Sequence, residues 1–230
     1  MRSLHGSGLG AGAVPRAPSA RAPGAALGRL ALLYLLVLLP VGWLGLPRTL
    51  VSAGALAALQ GGVLVLVMHR DRGRARFRWR PHGRDAAEAG IIAAGLVGAL
   101  ALASLLAGAL PEPLRESLLR GYRWELQGVA QVPLALGFVL ISAYREELYF
   151  RAYLLTVLEE IATPPWLAVL TSALLFGLGH LYQGWLAAVI ALLIGVAFAL
   201  LYRHRPSVHR LAWAHAAFNL AVLTGTLFAG

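Results

Sequence analysis

Apolar residues run along this chain in long blocks separated by short polar segments. A hydrocarbon core about 30 Å thick needs roughly 20 apolar residues in a helix to cross it. Because the blocks do not alternate polar and apolar residues as barrel strands do, they predict helices. The expected fold is all-α, a polytopic transmembrane helix bundle with about seven spans. We place the blocks at about residues 28–46, 50–68, 89–110, 128–160, 164–182, 184–202 and 210–229.

The amino-acid composition indicates that much of the chain lies in lipid. Of 230 residues 59% are hydrophobic, and the mean hydropathy is +0.70. The net charge is +10, and all 20 basic residues are arginine. They cluster between the apolar blocks, where topology signals belong, so we expect no nucleic acid partner. Cysteine is absent, which excludes disulfides and thiolate nucleophiles.

The polar segments define the organisation of the chain. Residues 1–27 predict a disordered basic tail, and residues 28–230 predict one membrane-embedded domain. The tail, Arg29 just after it, and the loops 69–84 and 203–210 together hold 14 arginines, against 4 on the opposite side. The positive-inside rule then places the N-terminus in the cytoplasm and the C-terminus outside. Arginine without lysine is typical of a GC-rich bacterium, so we expect a multi-pass protein of the bacterial inner membrane, with membrane lipid as a partner.

Charged and polar side chains interrupt the apolar blocks in the last hundred residues. A charge at the bilayer centre costs roughly 2.5–3.5 kcal/mol on an insertion scale, so such residues are functional candidates. The pairs Phe176–His180 and His215–Asn219 are four residues apart and share a helix face. The interrupting residues are Arg145, Glu146, Glu147 and Arg151 in the fourth block, His180 in the fifth, and His215 and Asn219 in the seventh.

The fourth and fifth blocks predict a helical hairpin that turns near Thr163–Pro164. Positions 146 and 180 are equidistant from that turn, so Glu146 and His180 are expected at the same depth and can meet. Glu147 and Arg151 have the i,i+4 spacing of a salt bridge. Glu146 is rotated by about 100° from Glu147, so the two carboxylates point to different surroundings.

These groups have a specific chemistry in common. A carboxylate beside a histidine can take a proton from water and make it a nucleophile. A second histidine and an Asn amide offer donors for a developing oxyanion. Each residue alone also has a structural interpretation, as an ion pair, an interhelical hydrogen bond or helix glue. We expect His209, like the other histidines outside the set, to be solvated or to face lipid.

Three motifs carry a family resemblance. Glu146 to Arg151 reads EExxxR, Phe176 to His180 reads FxxxH, and His215 to Asn219 reads HxxxN. Their order and separation resemble the CPBP family, the CAAX protease and bacteriocin-processing proteins, also called Abi. The resemblance covers about residues 130–225, the motif core of the membrane-embedded domain.

The resemblance implies an intramembrane endopeptidase. In it Glu146 and His180 would activate water, and His215 and Asn219 would form the oxyanion hole. Supporting roles would fall to Glu147, Arg151 and Phe176. Two mechanisms stay open: one without cofactor, and one with zinc bound by Glu146, His180 and His215.

The substrate implied by the resemblance is a peptide or protein with a membrane-associated terminus. Eukaryotic relatives cut prenylated tripeptides, a substrate that bacteria normally lack. Bacteriocins, signal peptides and C-terminal sorting signals therefore stand as the substrate classes.

Two alternatives to an enzyme remain. One is a non-catalytic immunity or scaffold protein that keeps the fold and binds a partner. The other is a small transporter that moves protons through Glu146, His180 and His215. A transporter needs a polar path on both sides of the membrane, and the first three blocks offer almost none beyond Gln60.

Overall fold

A computed structural model describes residues 23–38, 49–70, 80–119, 125–225 and 227. Within these ranges the chain is all-α, as the apolar blocks predict, and none of the described residues forms a strand. The helices are α1 Pro23–Leu38, α2 Leu50–Arg70, α3 Asp85–Gly108, α4 Glu112–Leu119, α5 Val132–Glu147, α6 Leu155–Glu160, α7 Pro165–Gly179, α8 Trp185–His204 and α9 Val208–Gly225.

Three described helices, α2, α3 and α8, are long and apolar enough to cross a membrane. Two further apolar helices, α1 and α7, are shorter. Multiple apolar helices of this kind indicate an integral membrane protein. The count of about seven spans is not reached by this criterion, which α5, α6 and α9 do not meet.

The N-terminal boundary differs from the sequence prediction. Helix α1 begins at Pro23, so residues 23–27 are helical, and the prediction of a disordered tail was wrong for these residues. Residues 1–22 of that tail and residues 71–79 of the arginine-rich loop lie outside the described residues.

The fourth block forms one continuous helical rod, in agreement with its pattern. Between α5 and α6 the rod passes through a π-helical segment, Leu148–Leu154. The rod ends where Ala162 adopts a φ of 59°, in the left-handed region. Pro164 follows and cannot continue a helix. The chain therefore turns back into α7 at the predicted position.

Helices α7 and α8 pack closely through small residues. A Cβ atom on Gly195 would lie 3.0 Å from the Cα atom of Ala173 on the facing helix. A Cβ atom on Gly177 would lie 3.0 Å from the carbonyl oxygen of Ala188. Interfaces of small residues let membrane helices approach closely enough for extensive van der Waals contact. This approach fixes the position of α7, and with it the histidine at the end of α7.

A valine at Gly195 should therefore force α7 and α8 apart. We expect Gly195→Val to destabilise the protein by about 1–3 kcal/mol, the usual penalty for overpacking. Thermal unfolding in mild detergent measures this loss. Gly98→Val on α3 is the matched control, because its Cβ atom would meet nothing within 4 Å. Equal stability of the two variants would contradict close packing at Gly195.

Helix α1 is tied to the rod and to α7 by two tyrosines. The hydroxyl of Tyr34 donates to the carbonyl of Leu175 at 2.9 Å. The hydroxyl of Tyr149 donates to the carbonyl of Leu30 at 2.8 Å. Although α1 lies far from the rod in sequence, these bonds make it part of the bundle around the site.

A network of charged side chains closes one end of the bundle. Arg205, just after α8, donates to Asp85 at 2.9 Å and to Glu88 at 2.5 Å, both in the first turn of α3. Arg210 on α9 donates to Glu88 at 2.7 Å. The start of α3, the end of α8 and the start of α9 therefore lie at the same end, which is rich in arginine.

Candidate active site

The carboxylate of Glu146 is buried near the middle of the rod, and its two oxygens have different partners. Its Oε1 atom accepts hydrogen bonds from Arg145 Nη2 at 2.7 Å and from Ser142 Oγ at 3.1 Å. Its Oε2 atom lies 3.8 Å from Nε2 of His215. One oxygen is therefore held by the helix that carries it, and the other faces a histidine across the bundle.

The imidazole of His215 is oriented by the second carboxylate of the motif. Nδ1 of His215 lies 3.0 Å from Oε1 of Glu147. A carboxylate accepts hydrogen bonds, so we assign the Nδ1 proton to the bond with Glu147. The Nε2 atom is then turned toward Glu146. A carboxylate that fixes the orientation of a functional histidine in this way is a common supporting contact.

Glu147 also forms an ion pair with Arg151. The Nε atom of Arg151 lies 3.1 Å from Oε2 of Glu147, and both side chains are 0% exposed. The guanidinium carbon lies 5.0 Å from the ring centroid of Phe176 and 5.6 Å from those of Phe150 and Phe198. Cation–π contacts therefore surround the buried arginine. The i,i+4 salt bridge predicted from the sequence is present.

His180 lies where α7 ends, and its tautomer is set by its own helix. Its Nδ1 atom lies 2.8 Å from the carbonyl oxygen of Phe176. Because a carbonyl can only accept, Nδ1 carries the proton and Nε2 keeps its lone pair. The ring also contacts the ring of Phe176, with 4.7 Å between the centroids. The Nε2 atom is thus available as a base.

The structure brings His180 and Glu146 into one region without direct contact. They lie within electrostatic range of each other. In the described part of the chain, however, neither a hydrogen bond nor an ion pair joins the two side chains. Phe176 separates the two histidines, since its ring centroid is 5.7 Å from that of His215. The i,i+4 motif FxxxH thus places an aromatic spacer beside its histidine.

Asn219 lies one helical turn beyond His215 on α9 and is partly exposed. Among the residues that the structure describes, its amide makes no hydrogen bond. Buried amides usually have partners, so a partly exposed one without them remains free to bind another group. Its position on the same face as His215 follows the prediction from the HxxxN spacing.

The predicted zinc ligands do not form a metal site in this arrangement. A catalytic zinc ion takes three protein ligands at about 2.0–2.2 Å in most sites. In the described ranges no group of three or more His, Cys, Asp or Glu side chains is placed to hold a metal ion. Glu146, His180 and His215 are neighbours, but they do not converge on one point.

Sequence reasoning missed two sets of polar contacts. It did not name Ser142, and it named Arg145 as a candidate without giving it a role, although both donate to Glu146. It also placed His209 in solvent or lipid, which was wrong. His209 is buried, and its Nδ1 atom lies 2.8 Å from the hydroxyl of Tyr144. The available signals were the presence of these polar residues in apolar helices and, for Ser142, its i,i+4 spacing from Glu146.

Together these features define a polytopic membrane protein with a buried glutamate–histidine site among its helices. Residues 128–221 match the model of a family described as type II CAAX prenyl endopeptidase Rce1-like. The chain therefore carries a domain of the Rce1-like CAAX endopeptidase family, which is a family of peptidases within the CPBP, or Abi, group. This confirms the resemblance seen in the three motifs. No curated protein and no solved structure gave a significant match.

Proposed function

We propose that this chain is an intramembrane endopeptidase in which Glu146 and His180 activate a water molecule. The observation that carries the proposal is that the two carboxylate oxygens of Glu146 have different surroundings. Its Oε1 atom is saturated by Arg145 and Ser142, while Oε2 faces His215 at 3.8 Å. A carboxylate fixed on one side and open on the other is suited to take a proton from water.

The positions of the side chains support the following reaction. Glu146 takes a proton from water that is hydrogen-bonded to Nε2 of His180, and the water oxygen attacks the peptide carbonyl carbon. The amide of Asn219 donates to the oxyanion, and the imidazole of His215 lines the same oxyanion hole. Glu146 returns the proton to the leaving amine as the C–N bond breaks. No step in this scheme needs a metal.

The substrate class follows from the family and from the membrane. A peptidase domain acts on a protein or peptide. The site residues lie on helices of an integral membrane protein, so we expect a substrate with a membrane-associated terminus. A bacteriocin, a signal peptide or a C-terminal sorting signal fits this description.

The same proposal includes the topology. The chain crosses the bacterial inner membrane about seven times, with the N-terminus in the cytoplasm and the C-terminus outside. Support comes from the charged end of the bundle, where Arg70, Arg84, Arg203 and Arg205 lie at the ends of α2, α3 and α8. That end would face the cytoplasm.

Mapping of protein termini in cells tests the proposed function. The membrane and secreted proteomes of cells with wild-type protein are compared with those of cells carrying Glu146→Gln, which is nearly isosteric but cannot act as a base. We expect specific N- and C-termini to disappear while the variant accumulates normally. Those termini identify the substrate.

Glu160→Gln, an exposed glutamate at the end of the same rod, is the matched control and should leave the termini unchanged. If Glu146→Gln changes no terminus, yet deletion of the gene still alters bacteriocin sensitivity, the protein is an immunity or scaffold protein and the peptidase proposal fails. Loss of proton-coupled transport without a changed terminus would indicate a transporter.

A further inference from the structure

Arg145 forms hydrogen bonds with Glu146 and with a residue of another helix, and the family motif explains neither contact. It precedes the EExxxR motif, and its side chain is only 14% exposed. Its Nη2 atom donates to Oε1 of Glu146 at 2.7 Å, and its Nη1 atom donates to Oε1 of Gln60 at 2.7 Å. The planar guanidinium fork allows both bonds at once. Arg145 therefore connects the catalytic carboxylate to a different helix.

Gln60 is held in turn by α1. Its Nε2 atom donates to the carbonyl oxygen of Leu36 at 3.0 Å. Leu36 lies in the last turn of α1, where the carbonyls have no partner within the helix. Gln60 thus uses its donor on a helix end and its acceptor on Arg145. It is buried in the otherwise apolar helix α2, and it lies outside the segment that matches the family.

Resting on the function proposed above, we propose that Gln60 and Arg145 are positioning residues for Glu146. The hydrogen bonds from Gln60 to Leu36 and from Arg145 to Gln60 fix the guanidinium on the side away from Glu146. The guanidinium then holds Oε1 of Glu146, so that Oε2 points toward His215 and the water. Helices α1 and α2, which carry no motif residue, would in this way set the geometry of the reacting carboxylate.

A purely structural tie between helices predicts different behaviour. Such a tie would affect stability and leave turnover per folded molecule unchanged. A positioning role predicts a lower kcat with an unchanged KM, because substrate still binds while the base is misaligned. A misplacement of about 1 Å can reduce the rate by roughly 100-fold. The separation of kcat from KM therefore distinguishes the two roles.

The test uses purified full-length protein in detergent micelles and a peptide that spans the cleavage site found by terminus mapping. Gln60→Met keeps the volume of the side chain but removes both hydrogen bonds. We expect kcat to fall by roughly 10- to 100-fold with KM within about twofold of wild type. Tyr34→Phe is the matched control, since it also removes one bond from a side chain to a backbone carbonyl between helices, and it should keep kcat.

Arg145→Lys is the second variant, for use if Gln60→Met does not fold. It keeps the positive charge beside Glu146 but loses the fork, so its kcat should fall as well. Unchanged kcat in the folded variants, or an equal loss in Tyr34→Phe, would overturn the positioning role while Glu146→Gln remains inactive. If wild type and Glu146→Gln both fail to cut the peptide, it is the proposed function that fails.

Discussion

His180→Ala is expected to reduce the cleavage rate by about 10²- to 10⁴-fold, the usual contribution of general acid–base catalysis. The reason is the fixed tautomer: Nδ1 of His180 donates to the carbonyl of Phe176, which leaves Nε2 to accept a hydrogen bond from the water that Glu146 deprotonates. The rate of appearance of the mapped termini, normalised to the amount of protein, measures the loss.

Folding should be largely unaffected by this substitution. The hydrogen bond of His180 is made to a carbonyl of its own helix, so no hydrogen bond between the described helices depends on it. His204→Ala is the matched control, since His204 is exposed at the far end of α8. A cleavage rate in His180→Ala equal to that of His204→Ala would show that His180 takes no part in activating the water.

Arg151→Met is expected to lower the free energy of unfolding by about 3–5 kcal/mol, because it leaves a buried carboxylate without its charge partner. The side chains of Arg151 and Glu147 are both 0% exposed, so water cannot compensate for the lost charge. Methionine fills a similar volume among the aromatic rings. Unfolding in mild detergent and the amount of protein in the membrane both report the loss.

A variant that also lacks the second charge distinguishes the effect of the lost ion pair on stability from the effect of altered side-chain packing. The double variant Glu147→Gln with Arg151→Met buries no charge at this position, and we expect it to recover most of the lost stability. The glutamine oxygen can still accept from His215, so the imidazole keeps its orientation. A double variant no more stable than Arg151→Met alone would argue against an unpaired charge as the cause.

The apolar pattern predicted the parts of the fold that depend on burial in lipid. Helices α2, α3 and α8 coincide with blocks of the required length because a membrane imposes that length on any crossing helix. The turn at Pro164 was predictable for a local reason, since proline cannot continue a helix. The start of α1 at Pro23 was not, because residues 23–27, Pro-Gly-Ala-Ala-Leu, continue the Gly-, Ala- and Pro-rich composition of the tail.

The site was predictable only as far as spacing determines it. Residues four apart on a helix meet, so the pair Glu147–Arg151 followed from the sequence. The contact of Ser142 with Glu146 has the same spacing and was overlooked, whereas the bond from the adjacent Arg145 depends on side-chain rotamers that spacing does not determine. The bond from Arg145 to Gln60 joins residues 85 positions apart, and no local periodicity contains it.

The π-helical segment Leu148–Leu154 has a consequence for how the length of this rod can vary in evolution. A π-helical turn holds more residues than an α-helical turn, so the segment behaves as a stored insertion. Loss of one residue there could be absorbed by a return to α-helical hydrogen bonding. Loss of one residue elsewhere in α5 would rotate everything beyond it by about 100° and turn the carboxylates away from α9. Loss of one residue is therefore better tolerated in this segment than in α5.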